Sequence, residues 1–144
     1  MLQALIESGR EAQRTGAWDE ALAHFESALQ MLPAEGESRT RSDLFRWMGT
    51  VHAERGNLDG AWQSFESSRL AAEEAGLREQ VGSALVSQAG VELLRGNLEV
   101  AADLFLQARG IAEDVGQERL VALIDMNLGI IANIQGNVAM ALVS

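Results

Sequence analysis

The chain has 144 residues, of which 47% are hydrophobic, so it is long enough to bury the core of one ordinary domain. It contains no Cys, which excludes disulfides and thiolate chemistry, and all eleven basic residues are Arg. The net charge of −10 would repel phosphate backbones, so binding to nucleic acid is not expected.

The first residues carry no basic segment and reach an acidic residue at Glu7, which is unlike a signal peptide. No apolar run approaches the roughly 20 residues that a membrane helix needs. We therefore expect a cytoplasmic protein without a membrane partner.

Turn signals recur every 40 residues along the chain. Gly16-Ala17, Gly56-Asn57, Gly96-Asn97 and Gly136-Asn137 share one phase, and Gly36, Gly76 and Gly116 share another. A glycine just past a helix closes it in the left-handed conformation, and a following Asn can cap the next helix. The pattern predicts helices near 2–15, 17–32, 39–55, 58–75, 78–95, 98–115 and 118–135, with an eighth from about 138 to Ser144.

Small and aromatic residues repeat with the same period. Ala21, Ala61, Ala101 and Ala141 share a phase, as do Phe25, Phe65 and Phe105, and so do Gly9, Gly49, Ala89 and Gly129. Small residues in facing helices let two backbones approach closely, and the Phe rings then fill the space between units.

In the first unit, Gly9, Gly16, Ala21, Phe25, Ala28 and Pro33 resemble the tetratricopeptide repeat, and the later units keep most of this pattern. The 40-residue period exceeds the family's usual 34 and is similar to the longer repeats of bacterial regulators and kinesin light chains. The resemblance implies an all-α, right-handed superhelical solenoid of antiparallel helix pairs with about three and a half repeats. Residues 1–144 would form a single domain with units near 1–36, 37–76, 77–116 and 117–144, the last one truncated.

The seventh predicted helix is apolar nearly all round, as expected of a helix that is covered on two sides. Its predicted partner helix has less than two turns, and no polar cap is visible. Either the chain is part of a longer array, or a second copy covers this edge. The predicted self-association edge comprises Leu123, Ile130, Ile131, Ile134, Val138 and Leu142.

Nothing in the sequence points to catalysis. His24 and His52 are the only histidines and lack metal-ligand spacing, and there is no phosphate-binding glycine loop. We expect no enzyme activity, no metal and no cofactor.

The resemblance implies that the first helices of the units line a concave groove that takes an extended peptide or a partner helix. Carried over by phase, the predicted groove residues are Arg10, Arg14, Asp43, Arg46, Trp47, Thr50, Ser87, Asn127 and Asn133. Trp47, with Arg46 beside it, is the predicted anchor.

Three functions remain open at this point. The first is a protein-interaction scaffold or adaptor, as part of a bacterial regulatory protein. Exclusive use of Arg over Lys suits a GC-rich bacterial genome. The alternatives are a structural repeat protein that oligomerises through its open apolar ends, and a sensor domain for a peptide or small molecule.

Overall fold

The computed structural model describes residues 1–143, which form seven helices and no strand. The helices are α1 (Leu2–Arg14), α2 (Trp18–Met31), α3 (Ser38–Glu54), α4 (Leu58–Glu74), α5 (Arg78–Arg95), α6 (Leu98–Asp114) and α7 (Glu118–Val143). Consecutive helices pack against each other, and α3 also packs against α5, so the pairs α1–α2, α3–α4 and α5–α6 stack as a solenoid. The predicted all-α fold is confirmed.

The turns follow from the repeated glycines. Gly16, Gly36, Gly56, Gly76, Gly96 and Gly116 all have φ between 67° and 84°. In the turn between α3 and α4, the Asn57 N–H donates to the His52 carbonyl over 2.8 Å. This bond closes the end of α3 around Gly56. Equivalent bonds start from Ala17, Leu77, Asn97 and Gln117. One local device therefore sets five of the connections.

The predicted capping by asparagine holds at one position only. Asn57 Oδ1 accepts a bond of 3.0 Å from the Gly60 N–H, whereas the Asn97 side chain donates to Glu92 Oε2 over 2.7 Å and caps nothing. Glu92 is 5% exposed, and a buried carboxylate requires hydrogen-bond donors. The Asn97 side chain therefore bonds to Glu92 instead of capping the start of α6.

The core is built from the phased small and aromatic residues. Phe25, Phe65 and Phe105 are at most 4% exposed. An ideal Cβ built on Gly9 would lie 2.6 Å from Phe25 Cε1, and one on Gly49 would lie 2.5 Å from Phe65 Cε1, so these two rings use the room that a missing side chain leaves. Where the second unit departs from the alanine pattern, the buried Ser68 and Ser42 hydroxyls each donate to the other's carbonyl, at 2.8 and 2.9 Å, and join α3 to α4.

The predicted eighth helix is wrong. Helix α7 runs without a break through Gly136 to Val143, and Gly136 is not among the glycines with positive φ. The last residue of the predicted helix, Ser144, lies outside the described residues. A separate helix of about six residues would bury little surface. That burial would not offset the backbone hydrogen bonds lost at a break, so α7 continues as one helix.

Candidate functional site

All nine predicted groove residues lie on the first helices of the units, on α1, α3, α5 and α7. Arg10, Arg14 and Asn133 are exposed, and the other six are half-buried. The structure brings together predicted residues of α1 and α3, since Arg10 on α1 contacts Trp47 on α3. Among the described residues, Ser87, Asn127 and Asn133 form no hydrogen bond with those members, and the Asn127 side chain instead donates to the Leu123 carbonyl over 3.0 Å.

Trp47 packs against the core and does not project from the surface as an anchor would. Its ring centroid lies 5.9 Å from that of the buried Phe25, at an interplanar angle of 32°. The Arg10 guanidinium lies above the indole, with 4.8 Å from Cζ to the ring centroid. This cation–π contact between α1 and α3 leaves the guanidinium edge available for a ligand carboxylate.

The other two groove arginines are engaged by neighbours on their own helices. Arg46 Nη2 lies 3.1 Å from Asp43 Oδ1, and Arg14 pairs with Glu11. The Thr50 hydroxyl donates to the Arg46 carbonyl over 3.1 Å. Of the three arginines predicted for the groove, Arg10 is the one that has no carboxylate partner within residues 1–143. The repeat phase had favoured Arg46 as the cation beside Trp47. The phase does not reveal that Arg46 pairs with Asp43, because that pairing depends on side-chain rotamers.

A depression of about 1090 Å³ lies at the N-terminal end of the solenoid. It contains Arg10 and Arg14 among the predicted residues, but none of the other seven. The acidic residues that line it are Glu7, Glu11, Glu20 and Glu54, and His24 is also present. The described residues hold no cluster of His, Asp and Glu that could bind a metal ion. Glu20 and His24 were missed as lining residues because they lie on α2, outside the first-helix phase.

A second cleft, of about 430 Å³, lies between α4, α5 and α6. Trp62, Leu85 and Leu104 contribute apolar walls, and Arg69 lies at the site together with Glu66 and Glu73, which both bond to it. Gln88 also lines this cleft and is 1% exposed, yet its Nε2 has no hydrogen-bond partner. At the same phase, the second and fourth units have the apolar Met48 and Leu128, whereas the first has Ser8.

Helix α7 carries the predicted self-association edge, with one correction. Leu123, Ile130, Ile134, Val138 and Leu142 are 40–83% exposed. Ile131 is 2% exposed, because it packs with Ile124 into the cluster around Phe105 on α6. It therefore belongs to the core and not to the edge. The exposed Asp125 carboxylate accepts bonds of 2.6 and 3.1 Å from Arg109 on α6, which lower the pKa of Asp125.

The unbroken α7 also changes the expectation about apolar length. With 26 residues, it is long and apolar enough to cross a membrane by length and composition alone, and it is the one such helix among residues 1–143. The sequence had suggested none because it placed a turn at Gly136. Ile131 shares the phase of the buried Val51 and Val91, and Ile124 shares that of the buried Leu44 and Ala84, which favours a solenoid helix over a membrane span.

Comparison with known proteins supports the fold. No protein-family model and no curated protein sequence matches the chain. Among solved structures, it is similar to the Rap conjugation gene regulator of plasmid pLS20 in complex with the Phr* peptide, with a TM-score of 0.78 and 18% identity over 96% of this chain. The chain spans 39% of the length of Rap.

Two further structures show the same helical solenoid. PcrH from Pseudomonas aeruginosa has a TM-score of 0.73 and 23% identity, with 91% of each chain covered. BtubC from P. vanneervenii has a TM-score of 0.79 and 20% identity over 94% of this chain and 56% of its own. At these identities the likeness establishes a tetratricopeptide-like fold.

Proposed function

We propose that this chain is a protein-interaction module that binds an extended peptide or a partner helix in its concave groove. The observation that carries the proposal is the stack of Arg10 on Trp47, which joins a cation without a carboxylate partner to an aromatic ring. Aromatic residues and Arg are the side chains that most often dominate binding energy at interfaces. The proposal includes a scaffold or adaptor role in the cytoplasm, within a bacterial regulatory protein, and no catalysis.

The structural relatives are consistent with this role. One PcrH structure is a complex with the chaperone binding region of PopD, at 24% identity, and the Rap structure is a complex with the Phr* peptide. Those partners belong to those proteins. What this chain offers is a similar framework with its own side chains.

The side chains of the groove indicate the chemistry of the ligand. At the N-terminal end the groove presents charged residues, including Arg10 and Arg14. At the same two phases, α7 presents the exposed apolar side chains of Ile130 and Ile134. A matching segment would place a carboxylate at the Arg10 end and apolar side chains at the α7 end.

The test is to select peptides against the wild-type chain from a random display library and to measure their affinities calorimetrically. Arg10→Ala should weaken the selected peptides about tenfold or more, since charge-assisted bonds contribute roughly 1.5–3 kcal/mol. Arg78→Ala is the matched control, because Arg78 pairs with Asp114 on the α5–α6 side, away from the groove. If both variants bind equally well, the groove assignment is wrong.

Self-association is the second candidate, and the exposed apolar side chains of α7 favour it. Light scattering across a hundredfold range of concentration distinguishes the two. A mass that doubles with concentration and returns to that of one chain in Ile130→Glu would support association through α7. A constant mass of one chain would exclude it.

A further inference from the structure

The cleft between α4, α5 and α6 has a buried floor and half-buried walls. Leu85 and Gln88 of α5 form the floor and are 6% and 1% exposed. Side chains of α4 and α6, among them Trp62 and Leu104, form the walls. The cleft lies between the second and third units, both of which are complete helix pairs, and it shares no lining residue with the predicted concave groove. It is therefore a separate feature of the solenoid.

Gln88 is the unusual residue of this cleft. Its Nε2 is buried and has no hydrogen-bond partner among residues 1–143. A buried donor without a partner costs free energy, and native proteins rarely keep one unless a water, an ion or a ligand satisfies it. The second and fourth units have Met48 and Leu128 at this phase, so the repeat packs without an amide here. What the amide lacks is an acceptor.

The equivalent junction between the first and second units is filled by apolar side chains. Leu29 has the phase of Arg69 and packs against the core of that junction. Phe45 has the phase of Leu85 and packs against the same core. Because Leu85 is smaller than a Phe, volume is left at the later junction. The cleft therefore results from side chains particular to this junction and not from the repeat itself.

The charges of the cleft disfavour an anion. Arg69 donates to Glu66 Oε1 and to Glu73 Oε1, over 2.6 Å in each case. Two carboxylates and one guanidinium leave one net negative charge, and the guanidinium is already bonded on both sides. A volume of about 430 Å³ with several apolar lining residues is typical of a site for a small molecule. These features favour a small neutral ligand.

We propose that this cleft binds a small neutral molecule that combines an apolar body with a carbonyl oxygen. The apolar body lies against Trp62, Leu85 and Leu104, and the carbonyl oxygen accepts a hydrogen bond from Gln88 Nε2. The bond satisfies the buried donor, which gives the ligand both affinity and orientation. This site is separate from the groove at Arg10 and does not depend on the groove function.

Acetophenone is the probe, because it is neutral and carries an apolar ring and one carbonyl acceptor. It is titrated into the full chain and followed by nitrogen–proton NMR, in which the Gln88 side-chain signals are identified by their loss in Gln88→Met. We expect these signals to move downfield and to saturate. Gln88→Met should weaken acetophenone about tenfold, because the ligand oxygen would be buried without a donor. Toluene, which lacks the oxygen, should bind the wild type and this variant alike.

The controls separate this cleft from other surfaces. Gln63→Met is the matched control, because Gln63 is exposed on α4 and does not line the cleft. It should bind acetophenone as the wild type does, and so should Arg10→Ala. Leu104→Trp fills the cleft and should abolish binding of both acetophenone and toluene. Circular dichroism checks that each variant keeps its helicity.

Four results would overturn the proposal. The first is no saturable binding of acetophenone up to its solubility limit, and the second is equal affinity in the wild type and Gln88→Met. The third is tighter binding of benzoate than of acetophenone, which would indicate an anion site. The fourth is a nuclear Overhauser contact between the Gln88 amide and a water that persists at saturating acetophenone, because water would then be the partner of the amide.

Discussion

The ring of Phe65 occupies the space that a side chain at Gly49 would need, since an ideal Cβ on Gly49 would lie 2.5 Å from Phe65 Cε1. The two residues come from the two helices of one pair, and Phe65 is 4% exposed. The ring cannot swing into solvent without opening the core. The missing side chain is therefore a packing requirement and not merely a tolerated weakness in the helix.

Gly49→Ala should destabilise the chain by about 1–2 kcal/mol, because overpacking of the ring outweighs the roughly 1 kcal/mol gained in helix propensity. Gly129→Ala should have the opposite sign and stabilise by up to about 1 kcal/mol, since nothing surrounds Gly129. Urea unfolding of both variants and the wild type provides the measurement. Equal effects at the two positions would contradict this account, in which Gly49 is covered by Phe65 and Gly129 has open space around it.

A second prediction concerns the unpaired amide of Gln88. Gln88→Met should stabilise the chain by about 1–2 kcal/mol, because it removes a buried donor without a partner and keeps a similar volume. Met48 already occupies the same phase in the second unit and is 8% exposed. The matched control is Gln63→Met at an exposed position of α4, which should change the free energy of unfolding by less than about 0.5 kcal/mol. A loss of stability in Gln88→Met would mean that its amide is satisfied in solution.

A third prediction concerns the single asparagine cap. Asn57→Ala should cost about 1 kcal/mol, because the Gly60 N–H at the start of α4 loses its acceptor. Asn57→Ser should retain most of that stability, since a hydroxyl can accept the same bond. Thermal unfolding of both variants measures the difference. Equal melting temperatures for the two variants would show that the cap contributes nothing.

Much of the fold could be predicted because its signals are local. A glycine in the left-handed conformation ends a helix wherever the chain continues into another packed element, and Gly16, Gly56, Gly76, Gly96 and Gly116 all do so. Gly136 has the same sequence context and is helical, because a glycine permits a turn but does not impose one. What decides is whether the residues beyond the turn have a surface to pack against.

The site was less predictable, since phase assigns a residue to a face but not to a depth. Trp47 lies on the predicted face, yet its contact with Phe25 depends on how α2 and α3 approach each other. Ile131 was assigned to the open edge although Val51 and Val91, at the same phase, are apolar. Comparing those three positions would have placed Ile131 in the core. The stack of Arg10 on Trp47 joins residues of two units, and no spacing within one helix reveals it.

The last prediction concerns the ion pair that links α6 to α7. The hydrogen bond from Arg109 lowers the pKa of the Asp125 carboxyl below its ordinary value of 3.8. Loss of solvation opposes this with a smaller effect, and the positive charge of Arg109 adds the smallest contribution, in the lowering direction. A depressed pKa in the folded state means that the pair stabilises the docked helix above pH 3.8 and that this stabilisation is lost as the pH falls through the folded value.

Arg109→Gln should therefore raise the pKa of Asp125 towards 3.8, as measured by carbon-detected NMR titration of the carboxyl group. The control variant Arg78→Gln removes the partner of Asp114 instead and should leave the Asp125 titration unchanged. In the wild type, hydrogen exchange at the start of α7 should accelerate as the pH falls through the folded pKa of Asp125, because the protonated carboxyl no longer pairs with Arg109. If Arg109→Gln leaves the titration of Asp125 unaltered, then Arg109 does not contact it in solution, and α7 is held to α6 by apolar contacts such as those of Ile124 and Ile131.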